Sequence, residues 1–74
     1  MIVLFSRPGC PLCDKARSVL EKASIEFDEI DVTGDSELES EFGMFVPVVE
    51  VDGATIFHAG MDESELPELI QVNG

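Results

Sequence analysis

Beyond residue 22 the chain contains no lysine and no arginine. Its four basic residues, Arg7, Lys15, Arg17 and Lys22, stand against sixteen acids, for a net charge of −12. A polyanion of this density is repelled by nucleic-acid phosphates and by anionic lipid surfaces, so neither nucleic acid nor membrane is expected as a partner. No window approaches the roughly 20 consecutive apolar residues of a membrane helix. The amino terminus also lacks the basic, apolar and small-residue regions of a secretory leader. The expected compartment is therefore the cytoplasm. Cysteine is scarce as well. Cys10 and Cys13 are the only two, and a bridge between them closes too small a loop to staple a fold. In a reducing compartment such a pair reads as a reactive dithiol or a metal site rather than a permanent crosslink. With 74 residues there is material for one hydrophobic core, so residues 1–74 are expected to form one domain.

What is present is apolar sequence in short runs. Hydrophobic residues make up 45% of the chain, enough to exclude disorder, and they gather in Ile2-Val3-Leu4-Phe5 and Val46-Pro47-Val48-Val49. The charge is divided unevenly. All four bases fall in residues 1–22, beside only Asp14 and Glu21, which leaves that segment at +2 and residues 23–74 at −14. Read linearly, the cysteine segment is an electropositive island on an acidic body. Such an island stabilises a thiolate and draws an anionic ligand to one end of the molecule.

Residues 2–5 form a continuous β-branched and aromatic run before the breaker cluster Ser6-Arg7-Pro8-Gly9, the pattern of a strand in the middle of a sheet. From Pro11 the period changes. Leu12, Cys13, Ala16, Val19, Leu20 and Ala23 recur at three- and four-residue steps, predicting an amphipathic helix with proline in its first turn, where a missing N–H costs little. Glu26 to Val32 is predicted as a second strand, and Thr33-Gly34-Asp35-Ser36 as a turn capping a short helix through about Gly43. Pro47 to Val51 and Ala54 to Phe57 flank Asp52-Gly53, which suits a two-residue hairpin because both central positions need positive φ. A last helix is expected within Asp62 to Val72. Pro67 fits only its first turn, which favours Ser64 over Asp62 as N-cap. The order βαβαββα requires a crossover joining a parallel pair, then a hairpin. That gives a mixed four-stranded sheet flanked by helices, the α/β architecture called thioredoxin-like.

Cys10-Pro11-Leu12-Cys13 falls where the first strand hands over to the first helix. Backbone N–H groups and the helix dipole at an N-terminus favour an anion, which makes Cys10 the nucleophile. Cys13 lies on the apolar stripe with Ala16 and Leu20 and suits the resolving role. Arg7 adds positive potential or holds a substrate carboxylate; the simpler reading is a solvated loop charge. Half of a zinc site is the structural rival for the pair. Such sites need four ligands, and His58 is the only further candidate, so no metal is expected. His58 itself reads as a packing or surface residue.

The segment Ser6-Arg7-Pro8-Gly9-Cys10-Pro11-Leu12-Cys13-Asp14-Lys15-Ala16 resembles the active-site segment of glutaredoxins, and its Cys-x-Leu-Cys-Asp form is similar to a group of small glutaredoxin-like proteins. The likeness covers nearly the whole chain. It implies a thiol-disulfide oxidoreductase acting on protein or glutathione mixed disulfides through Cys10 and Cys13. It also implies a cis Val46–Pro47 bond facing the cysteines, with Val46 pairing a bound peptide or glutathione. Glutathione contacts carry over to Arg7, Pro11, Leu12, Val46, Pro47, Gly60, Met61 and Asp62. Two positions depart from the family pattern. The paired glycines ahead of the last helix appear as Ala59-Gly60-Met61-Asp62, and the aromatic usual inside the motif is Leu12. No cofactor is implied, glutathione being a co-substrate, with a reductase protein as the other electron donor, and the chain is expected to be monomeric. The resemblance leaves two alternatives: a carrier in which Cys10 of two chains, with glutathione, holds an iron-sulfur cluster, and an interaction module with weak turnover.

Overall fold

The computed structural model describes residues 1–73. In chain order the elements are β1 (Ile2–Ser6), α1 (Pro11–Lys22), β2 (Asp28–Asp31), α2 (Ser36–Phe42), β3 (Val48–Val51), β4 (Ala54–Phe57), a 3-10 turn (Glu63–Glu65) and α3 (Leu66–Asn73). The sheet order is β2-β1-β3-β4. β1 and β2 run parallel and the other pairs antiparallel, so the fold is the mixed four-stranded, thioredoxin-like sheet. The apolar run of β1 takes the interior position its composition demands, with Phe5 between Ile30 and Val48. By contrast β2 is an exposed edge strand. Its sequence Asp-Glu-Ile-Asp places charge along that edge, which discourages pairing with another chain.

Each face of the sheet carries its own packed cluster. Leu4, Val49 and Phe57 meet Ala16 and Leu20 of α1 and Leu66 and Ile70 of α3 on one side. Burying side chains the size of Phe57, Leu4 or Leu20 contributes about 1.5–3 kcal/mol each. On the other side Phe5, Val32 and Val48 pack against Leu38 and Phe42 of α2. The rings of Phe5 and Phe42 stack there with centroids 4.2 Å apart. α2 is short, and its start depends on Asp35, whose carboxylate accepts from the N–H groups of Glu37 and Leu38 at 3.0 and 3.1 Å. Asp35→Ala is expected to cost about 1 kcal/mol, read as a lower urea midpoint with faster amide exchange confined to residues 36–42.

Three predicted details differ. The second strand is shorter than 26–32, and the third begins at Val48 because Pro47 lies outside the ladder, fully buried. Ser64 is not the last cap. Asp62 caps the 3-10 turn that precedes α3: its carboxylate accepts from the Ser64 N–H and hydroxyl, and Pro67 still falls in the first turn of α3. The hairpin follows its sequence, with φ of 50° at Asp52 and 85° at Gly53.

Candidate active site

The register fixes which loops meet. β1 and β2 end together at Ser6 and Asp31, β3 begins beside Phe5 at Val48, and β4 returns to end at Phe57 opposite Val49. The loops 7–10, 32–35, 43–47 and 58–62 therefore share one end of the sheet, and α1, α2 and the 3-10 turn all start there. The cysteines, Val46, Pro47, Gly60, Met61 and Asp62 all lie on the loops and helix starts at that end.

Cys10 is the N-cap of α1, in extended backbone conformation (φ −102°, ψ 105°), and Pro11 occupies the first turn. Its Sγ accepts the backbone N–H of Cys13 at 3.2 Å, the geometry in which a helix start satisfies an anion. Cys13 lies on the buried face with Ala16 and Leu20 and is 0% exposed, whereas Cys10 is partly open. The two are joined as a disulfide with Cα atoms 5.2 Å apart. Leu12 is exposed beside them, and so are Met44 and Phe45 in the loop before the cis Val46–Pro47 bond.

The positive island read from the linear sequence does not survive folding. Nη2 of Arg7 donates to Oε1 of Glu39 and, at 2.8 Å, to the carbonyl of Gly43, so this group clamps the end of α2 instead of standing free for a carboxylate. Nζ of Lys15 lies 4.0 Å from the buried Glu63 carboxylate. Arg17 reaches Asp14 through Nη1 at 2.7 Å and grips Glu29 with Nε and Nη2, while the buried Ser6 hydroxyl donates to Glu29 at 2.7 Å. Lys22 sits in the last turn of α1, at the opposite end of that helix. Neutralising acids from α2, β2 and the 3-10 turn are distant in sequence, which is why a linear charge count missed them.

Those pairs have a pH consequence. The Arg17 guanidinium, with the Ser6 hydroxyl, holds the Glu29 carboxyl below its ordinary range. A depressed folded-state pKa gives stability that is present above the unfolded value of 4.5 and lost as pH falls through the folded one. Glu29→Gln is expected to lower stability at pH 7 by up to about 1 kcal/mol. The gap from wild type should narrow in urea titrations as the pH falls below 4.5.

In the segment Ala59-Gly60-Met61-Asp62 two backbone N–H groups are bonded internally. The Ala59 N–H donates to the Phe45 carbonyl at 2.9 Å and the Met61 N–H to that of His58 at 3.2 Å. Asp62 turns its carboxylate to Ser64, which holds it below its ordinary pKa. Gly60 takes the left-handed conformation, φ 99°, between them. His58 is exposed, with Nδ1 2.8 Å from the Ala59 carbonyl.

A four-stranded mixed sheet with a Cys-x-x-Cys disulfide at the strand-to-helix junction defines the thioredoxin-like class. Within it, residues 1–71 match the glutaredoxin-like domain family DUF836, and the chain belongs to that family. It is 32% identical to the glutaredoxin-like 8.6 kDa protein of the rubredoxin operon of Clostridium pasteurianum, across 96% of this chain and 99% of that protein. It is 34% identical to a protein of Methanothermobacter thermautotrophicus named a probable thioredoxin, across 93% and 89%. Among solved structures, a structural-genomics target from X. campestris superposes with a TM-score of 0.84 at 27% identity over 97% of both chains. The glutaredoxin of Brucella melitensis gives 0.74 at 27% identity, over 99% of this chain and 90% of that one.

Besides Glu29 and Glu63, two further residues important to this end of the molecule give no sign of their role in the sequence. Glu39 and Gly43 hold Arg7, but a glutamate on a short helix and a glycine at its end carry no signal of a partner more than thirty positions away.

Proposed function

We propose that the protein is a dithiol oxidoreductase that reduces disulfides through Cys10 and Cys13. In the reduced form the Cys10 thiolate attacks one sulfur of a substrate disulfide, forming a mixed disulfide and expelling one substrate thiolate, which takes a proton from water. The Cys13 thiolate then attacks the Cys10 sulfur and expels the second substrate thiol. Two electrons have passed to the substrate and the Cys10–Cys13 disulfide remains. A low-potential dithiol, or two glutathione molecules, returns it to the dithiol.

The observation that carries this reading is the unequal placement of two bonded sulfurs. Cys10 caps a helix and is partly open, while Cys13 is sealed beneath it. A nucleophile needs access and anion stabilisation, whereas a resolving thiol needs only proximity. The test is to incubate Cys13→Ser and Cys10→Ser with bis(2-hydroxyethyl) disulfide and weigh the products by mass spectrometry. An adduct on the first variant alone supports the assignment; adducts on both or neither reject it.

A further inference from the structure

The first turns of three helices carry acids at the end of the sheet where the two cysteines lie. α1 places Asp14 there, α2 places Glu37 and Glu39 behind its cap Asp35, and the 3-10 turn places Glu63 and Glu65 behind its cap Asp62. Asp31 ends β2 at the same level. Acids at helix N-termini stabilise the helices that carry them. Because all three helices start at one end of the sheet, however, those eight carboxylates together with Glu29 are opposed there only by Arg7, Lys15 and Arg17, a local charge near −6. Each of those bases already has an acid partner. Asp31, Asp35, Glu37, Asp62 and Glu65 are all exposed and have no ion-pair partner among the described residues.

We infer that the Cys10–Cys13 centre selects protein disulfides flanked by lysine or arginine and disfavours anionic disulfides, that of glutathione included. This rests on the dithiol reading above and specifies its substrate class. Charges of one sign around a reactive centre concentrate oppositely charged reactants and raise their encounter rate by 10- to 10³-fold at low ionic strength, roughly. Salt removes the effect once the screening length falls to about 3 Å.

Single-turnover reduction by pre-reduced protein tests this, using disulfide-linked dimers of three blocked tripeptides: Lys-Cys-Lys, Gln-Cys-Gln and Glu-Cys-Glu. Each rate is divided by that of 2-mercaptoethanol with the same peptide, which removes intrinsic differences in disulfide reactivity. At about 10 mM salt the normalised rate should fall from the lysine to the glutamate peptide by tenfold or more. At about 1 M salt the three should agree within about threefold. The double variant Glu37→Lys, Glu65→Lys, with both positions exposed, should shrink the low-salt ratio severalfold. Equal or inverted normalised rates, or a preference indifferent to salt, overturn the inference while leaving dithiol chemistry intact. If the neutral peptide also fails to react, the dithiol reading itself is rejected and this inference goes with it.

Discussion

Cys13→Ser protein mixed with an uncharged disulfide should accumulate one covalent adduct per chain on Cys10 and stop there. Cys10→Ser should form none, and its turnover should fall to the uncatalysed background. The asymmetry follows from two competing electrostatic effects on one sulfur. In favour of the thiolate is the helix start, where the Cys13 N–H lies 3.2 Å from Sγ. A hydrogen bond to a charged group is worth about 1.5–3 kcal/mol. Against it stand the surrounding carboxylates. One about 10 Å away in water opposes a negative charge by about 0.4 kcal/mol before screening, and by less than half of that after one screening length. Even five unpaired carboxylates all placed that close would sum to less than about 1 kcal/mol. The helix start wins, and Cys10 should titrate below the ordinary thiol range. Iodoacetamide labelling of Cys13→Ser against pH checks this directly. An inflection at or above that of free cysteine would show that the acidic surround prevails.

The parts of this molecule legible in the sequence are those decided by neighbours along the chain. The apolar run of residues 2–5, the helical period from Pro11, and the Asp52-Gly53 turn each encode their own element, and the element order then leaves few topologies. Cys10 as N-cap and Cys13 as buried partner follow from the same local logic. What was not legible depends on charges brought together by the crossover. Arg7, Lys15 and Arg17 looked like an unopposed cluster because their partners Glu39, Glu63 and Glu29 lie on other elements. Folding therefore pairs these bases with acids instead of leaving them as a free positive cluster. The start of the last helix is illegible for a smaller reason: a 3-10 turn capped by Asp62 stands ahead of α3, so Pro67 fits the first turn of α3 without Ser64 as cap.

Gly43→Ala should destabilise the protein by about 1–3 kcal/mol, the range for forcing a methyl into filled space. A glycine closing a helix is commonly there for positive φ, but Gly43 has φ −54° and ψ −36°, a conformation open to any residue. Its constraint is space. A Cβ would lie 2.5 Å from the Glu39 carbonyl oxygen, 2.8 Å from Glu39 Oε1 and 3.0 Å from Arg7 Nη2. The two side-chain ends can shift, but the carbonyl is backbone and already accepts the Gly43 N–H at 2.9 Å. Relief therefore opens the last turn of α2 and pulls the Gly43 carbonyl away from Arg7. Gly34→Ala is the control: φ is 85° there and nothing lies within 4 Å, so its cost is conformational only, about 1–2 kcal/mol. Residues 44–47 follow Gly43 directly and share the sheet end with Cys10. Gly43→Ala should thus also slow adduct formation in the Cys13→Ser background, whereas Gly34→Ala should not. Arg7→Met removes the clamp without the clash, so its stability loss should be less than additive with that of Gly43→Ala. Strict additivity in a double-mutant cycle, or a Gly43→Ala protein with the wild-type urea midpoint, would show that the close approach at Gly43 does not hold this end of α2 in place.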